Sequence, residues 1–98
     1  MVRVTLPFHL RNLAQTEQEV QLSVAPPVSV STVLDALEAA YPVLKGTIRE
    51  HETLKRRAFL RFFACGEDIS TEDPGRSLPE SIANGTEPLM VIGAIAGG

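Results

Sequence analysis

The residues with the most chemistry to offer lie together, in the run Val91-Ile92-Gly93-Ala94-Ile95-Ala96-Gly97-Gly98. Two successive glycines present bare backbone, so Gly97 and Gly98 can pass through a channel too narrow for any Cβ. The carboxylate on Gly98 is then an unhindered acyl centre, carried on an arm, 94–98, that is expected to be flexible. A carboxylate is a poor electrophile until activated, so such an arm needs a partner that adenylates it. The acyl-adenylate could then take a sulfur nucleophile or an amine. A frayed terminus has the same composition, and the tail alone leaves both readings open.

Other chemistry-bearing residues point less far. Cys65 is the one cysteine; no histidine lies near it in sequence, and a buried or turn thiol fits its context better than a nucleophile. His9 and His51 have no thiol or carboxylate support of the kind a metal site needs, so no metal ligands are assigned. Glu67 and Asp68 are adjacent, and neighbours on a strand point to opposite faces, which suits a turn surface better than a catalytic pair. There is no phosphate-binding glycine loop, and so no ATP site in this chain.

The chain has 98 residues, 44% of them hydrophobic, with 12 acidic and 9 basic side chains and a net charge of −3. This length predicts one domain, 1–98, burying roughly 60–65% of its unfolded surface. The acidic balance argues against a nucleic-acid binder. Met1 to Thr5 lacks the apolar core of a signal peptide, and the longest apolar run, Pro88 to Ala96, is far shorter than the roughly 20 residues that span a bilayer. A soluble cytoplasmic domain with no membrane partner is expected. Charge is uneven: residues 1–61 carry eight basic and six acidic groups, whereas 62–98 carry Arg76 against six acids. Lys55-Arg56-Arg57 and Arg61 form a basic cluster, either a solvated patch or a rim that orients protein partners.

These features need elements to position them. Val2, Val4, Leu6 and Phe8 alternate with Arg3, Thr5 and Pro7, the period of a half-buried strand. A polar loop over 11–18 follows, then a second alternating segment over 19–24, predicting an antiparallel pair. Ser29 is a helix N-cap, and Val30, Val33, Leu34, Leu37 and Tyr41 fall at helical spacing up to Pro42, with Asp35 and Glu38 on the other face. Leu44, Ile48 and Glu52 leave a short second helix open within 43–57. Phe59 to Cys65 reads as a strand with Leu60, Phe62 and Ala64 inward, and Phe59, Arg61 and Phe63 outward. Gly66 and Asn84-Gly85 mark turns, and the continuously apolar Leu89-Met90-Val91-Ile92 reads as a central strand covered on both sides. The expected class is α+β, with one sheet wrapped on one main helix.

The pattern resembles the small sulfur-carrier proteins of the MoaD/ThiS family, which have the ubiquitin-like β-grasp fold. The resemblance runs through Val2-Arg3-Val4-Thr5-Leu6-Pro7 with Leu10-Arg11, Ser29-Val30, Leu34-Asp35-Ala36-Leu37-Glu38, Tyr41-Pro42 and Phe59-Leu60-Arg61-Phe62-Phe63. Cys65-Gly66-Glu67-Asp68-Ile69 looks like the family's Asn-Gly-Glu-Asp turn, Asn84-Gly85-Thr86-Glu87 like its acidic turn before the last strand, and Ile95-Ala96-Gly97-Gly98 like its terminus. Three residues depart from the pattern: Cys65 for asparagine, Thr86 for aspartate, and Gly93 where proline is common, a change expected to loosen the exit of the last strand. Segment 43–58 makes the chain longer than the shortest members, more like the carriers that feed cysteine biosynthesis.

The resemblance implies a mixed sheet of about four to five strands on one main helix, and a carrier rather than an enzyme. In the family, a ubiquitin-activating-type enzyme adenylates the terminal glycine with ATP and magnesium that the enzyme holds. Sulfur transfer gives a thiocarboxylate, which a sulfur-accepting synthase uses to make a cofactor or metabolite of molybdopterin, thiamine or cysteine type. Carried over, Gly98 holds the reactive carboxyl, Gly97 gives access, and Ala96 and Ile95 lie along the partner's channel. No cofactor is bound by the chain itself. Phe59 and Phe63, with Arg61, are assigned by alternation to an exposed patch that docks partners. Two rivals stand beside this reading: a ubiquitin-like modifier joined to lysines through Gly98, and an interaction module whose glycines are incidental.

Overall fold

A computed structural model describes residues 1–93. Five strands form one mixed sheet: β1 (Val2–Thr5), β2 (Glu19–Leu22), β3 (Leu60–Ala64), β4 (Glu67–Asp68) and β5 (Leu89–Gly93), in the order β2-β1-β5-β3-β4. The first pair is antiparallel, as expected, with Val2 opposite Leu22 and Val4 opposite Val20. β5 enters the middle, parallel to β1 and antiparallel to β3, with Leu60 opposite Gly93 and Phe62 opposite Val91. β3 and β4 form a hairpin around Cys65-Gly66, both with positive φ (52° and 80°). That two-residue turn matches the right-handed twist of the strands it joins.

The main helix, α2, spans Val30–Ala40. Ser29 Oγ accepts from the Thr32 N–H (3.2 Å) and Thr32 Oγ1 accepts from the Ser29 N–H (2.9 Å), a reciprocal cap that satisfies two otherwise orphaned donors. Val30, Val33, Leu34 and Leu37 pack against Val4, Val20, Leu60, Phe62, Leu89 and Val91 from the covered face of the sheet. Helical period on one side and strand period on the other meet there, and the core is the layer between them.

Four expectations need correction. The first strand ends at Thr5, and Phe8 opens a helix, α1 (Phe8–Ala14), across what was read as strand and polar loop. Pro7 has no N–H to give a ladder, and its carbonyl instead accepts from Leu10 and Arg11. Leu10 is buried while Phe8 stands in solvent, with Arg11 over its ring. The short second helix left open within 43–57 reduces to a single 3-10 turn at Pro42–Leu44, which buries Leu44, and an irregular excursion after it buries Ile48. Glu38 does not face solvent; it is 8% exposed and paired with Arg49. Lastly, β5 is central but covered on one face alone. A short helix, α3 (Glu80–Ala83), lies between the hairpin and β5 and had no counterpart in the sequence reading.

Arg49 fixes the excursion to α2. Its Nε donates to Glu38 Oε2 (3.0 Å), and its Nη2 donates to Glu38 Oε1 (3.2 Å) and Asp35 Oδ1 (2.6 Å). Burial opposes the charge, but the hydrogen bonds that Arg49 donates to Glu38 and then to Asp35 more than offset it, so the guanidinium pKa is held above its ordinary value. Arg56 closes the far side by donating to the carbonyls of Ser70 (3.1 Å) and Leu60 (2.8 Å). Part of the basic cluster is therefore structural. Among the described residues no helix is long and apolar enough to cross a membrane.

Candidate docking face and the root of the tail

Alternation along β5 sends Leu89 and Val91 into the core and leaves Met90 and Ile92 on the open face, 39% and 37% exposed. Across the ladder Phe63 lies opposite Met90 and Arg61 opposite Ile92. On the other side Thr5 pairs with Met90. The open face is thus an apolar strip of Phe63, Met90 and Ile92. Arg61 flanks it, its Nη1 3.3 Å from Asp68 Oδ2.

Asp68 is held by hydrogen bonds as well as by its ion pair with Arg61. The side chain of Ser70, and then its backbone N–H (2.9 Å from Oδ1), stabilise the carboxylate and keep its pKa below the ordinary aspartate value. Ser70 Oγ in turn accepts from the Phe62 N–H (2.8 Å), tying the β4 end of the hairpin to β3. At the opposite edge Arg3 joins three segments. It pairs with Glu19 of β2 (3.1 Å) and donates to the carbonyls of Gly85 (2.7 Å) and Thr86 (2.9 Å), in the turn that feeds β5. Gly85 has φ +84°, and an added Cβ would collide with the Met1 carbonyl oxygen.

Of the sequence-assigned docking residues, the structure brings Arg61 and Phe63 onto this face, Phe63 half-buried. Phe59 stands apart. It precedes β3, is 68% exposed, and lines a cleft with Arg57, Leu60 and Gly93 at the end of the sheet. Met90 and Ile92 share the open face and were not singled out in the sequence. One signal could have found them: a single main helix covers one face of a sheet, so a continuously apolar central strand must show half its side chains on the other. Gly93, expected to loosen the exit of β5, stays in the ladder opposite Leu60. An added Cβ there would stand 2.9 Å from His9 Cε1 and 3.5 Å from Pro7 Cβ, so a glycine lets α1 close on the strand. Ile95, Ala96, Gly97 and Gly98, and the arm 94–98 as a whole, lie outside the described residues.

Cys65 is an exposed turn thiol, 3.2 Å from Ser81 Oγ. Among the described residues no group of three or more His, Cys, Asp or Glu side chains could hold a metal ion.

No family model matches the sequence, and no curated protein matches it either. Solved structures do match along the whole described architecture. CysO in the BexX/CysO complex of Amycolatopsis orientalis superposes with a TM-score of 0.76 at 22% identity, covering 100% of both chains. SAMP1 from Haloferax volcanii gives 0.76 at 21%, over 99% of this chain and 98% of its own. Mycobacterium tuberculosis CysO gives 0.74 at 18%, over 97% and 100%. The fold is the ubiquitin-like β-grasp. The β-grasp, expected from the MoaD/ThiS resemblance, accounts for the mixed sheet, the single main helix and the central last strand. One of these β-grasp neighbours was solved in complex with a second protein.

Proposed function

We propose that this chain is a sulfur carrier. A ubiquitin-activating-type partner, holding ATP and magnesium, adenylates the Gly98 carboxyl. A sulfur nucleophile displaces AMP to leave a thiocarboxylate, and a sulfur-accepting synthase takes the sulfur for a cofactor or metabolite of molybdopterin, thiamine or cysteine type. The chain is a co-substrate in this scheme, not a catalyst, and works in the cytoplasm.

The observation that carries the reading is the placement of β5. The central strand of a β-grasp runs without a break into Gly93, and the sequence continues as Ala94-Ile95-Ala96-Gly97-Gly98. The strip of Phe63, Met90 and Ile92, flanked by Arg61, lies on the same strand and its neighbour, so a protein seated there meets the beginning of the tail. Exposed apolar side chains grouped on one sheet face are the kind of surface a partner covers. Ile95 and Ala96 then line the partner's channel, Gly97 gives access, and Gly98 reacts.

The likeness to SAMP1, whose neighbour in the same comparison is called a small archaeal modifier protein, keeps one second reading in view: conjugation of Gly98 to lysines. Intact mass separates the two after incubation with ATP, magnesium, a sulfide source and the adenylating enzyme of the same organism. The carrier reading expects a gain equal to one oxygen exchanged for sulfur, located on Gly98 by fragmentation. An adenylate that never takes sulfur but forms lysine-linked adducts favours the modifier. No adenylate at all, with a control carrier reacting alongside, overturns both and leaves an interaction module.

A further inference from the structure

The cations of this chain are unevenly employed. Arg3, Arg49, Arg61 and Arg76 form ion pairs, Arg56 is bound to backbone carbonyls, and Arg11 lies over the Phe8 ring. Lys45, Lys55 and Arg57 make no side-chain hydrogen bond or ion pair among the described residues, and all three sit on the excursion between α2 and β3. Two of them, Lys55 and Arg57, line one cleft of about 540 Å³. Its wall includes Gly93, the last described residue of β5, with the His9 ring against it, and the exposed Phe59. The one carboxylate lining that cleft, Glu50, accepts from the Thr53 hydroxyl (2.7 Å).

This concentration runs against the charge of the molecule. The chain is −3, and the segment from residue 62 onward holds six acids against Arg76. Several of those acids, Glu67, Glu80 and Glu87, lie in the hairpin, in α3 and before β5, at the end of the sheet where β5 begins rather than where it leaves. Free positive charge is therefore placed at the root of the tail and negative charge at the other end. Unpaired, solvated cations contribute little to folding, but aligned on one pole they orient an approaching partner and raise its capture rate.

We infer that the cleft of Lys55, Arg57, Phe59, His9 and Gly93 is a docking surface for an acidic protein segment, the rim around the opening through which a partner receives the tail. Lys55 and Arg57 supply the attraction, and Phe59 supplies an apolar anchor between them and the sheet. This surface is distinct from the strip of Phe63, Met90 and Ile92: the strip grips, and the cleft sets the approach. The inference rests on the carrier reading only for the reason a partner comes to this end of the molecule.

The test needs no sulfur chemistry, so its failure and that of the carrier reading are separable. Isotope-labelled protein is titrated with a decaglutamate peptide and followed by amide chemical shifts in about 20 mM salt. Saturable changes are expected at residues 55–60, His9 and Gly93. The Lys55→Glu/Arg57→Glu protein should bind at least about tenfold more weakly, and the difference should shrink to less than about twofold in 500 mM salt, where the screening length is only a few ångströms. Neither side chain has a bonding partner among the described residues, so this variant keeps the fold, which its spectrum verifies. Lys45→Glu/Arg76→Glu makes the same change in net charge elsewhere and should bind as the parent does. Equal weakening in both variants would show that affinity follows net charge alone, and would overturn the inference. So would changes centred on Arg61 and Arg3, the absence of saturation, or tighter binding of a ten-phosphate oligonucleotide by the same residues.

Discussion

Replacing Arg49 by methionine tests the excursion's attachment most directly. Methionine keeps most of the bulk and removes the charge, stranding Glu38, whose side chain is 11% exposed, while Asp35 at 62% loses little. Leaving one partner of a buried ion pair uncompensated costs about 3–5 kcal/mol. Protonation sets a ceiling: taking a carboxyl from an ordinary glutamate value of about 4.3 to pH 7 costs about 1.4 kcal/mol per unit, or about 3.7 kcal/mol. The expected loss is therefore about 3 kcal/mol at pH 7, a large share of the roughly 5–15 kcal/mol that holds a domain together. At about 4–8 °C per kcal/mol, the melting temperature falls by some 12–24 °C. In Arg49→Met the folded state binds the carboxyl proton more tightly than the unfolded chain does, so its stability rises as pH falls. At pH 5 the same ceiling is about 1 kcal/mol. Urea unfolding followed by circular dichroism at the two pH values measures both numbers. A loss below about 1 kcal/mol at pH 7, or an equal loss at both, would refute the argument. Adding Glu38→Gln to Arg49→Met should recover part of the stability and flatten the pH dependence.

Two further outcomes follow from single positions. Gly85→Ala meets a positive φ and the Met1 carbonyl together, and should cost about 2 kcal/mol or more, measurable as a shift in urea midpoint; a loss below about 0.5 kcal/mol would show that the turn relaxes freely. Asp68 should titrate below the ordinary aspartate range by carboxyl-carbon NMR. Its folded value is lowered, so its contribution is full above the unfolded value and is lost as pH falls through the folded one. Ser70→Ala should move that titration up towards the ordinary range, and no movement would remove Ser70 as the cause.

Much of the architecture was legible because each segment obeyed one period. Ser29 to Ala40 carries its own cap and a helical stripe, and Leu60, Phe62 and Ala64 alternate cleanly, so α2 and β3 emerged where expected. Phe8 misled because it continues the alternation of Val2, Val4 and Leu6, yet Pro7 intervenes and hands its carbonyl to α1. Leu44 and Ile48 are spaced as in a helix and are buried, but Leu44 ends a single 3-10 turn and a loop buries Ile48. Glu38 looked like a solvent residue because its partner, Arg49, lies across a chain reversal that no local pattern announces. The open face of β5 was hidden for another reason: alternation says which residues share a side, not how many layers cover it. Arg61 and Phe63 could be placed on the open face from the sequence, whereas Met90 and Ile92 required the sheet.

The central position of β5 also governs when the domain can exist. β2 with β1, and β3 with β4, form two separate hairpin-like halves that share no backbone bond; β5 alone joins them, with Val4 beside Leu89 on one side and Leu60 beside Gly93 on the other. Bringing residue 4 to residue 89 carries a closure entropy of about 4 kcal/mol, recovered only when the whole ladder forms at once. On a ribosome, neither half can complete a sheet until residues 89–93 have emerged. The surface formed by Phe63, Met90 and Ile92 does not exist on any shorter nascent chain, because two of its three side chains belong to the strand that closes the fold. The same closure that completes the core thus creates the open face, so the two appear together.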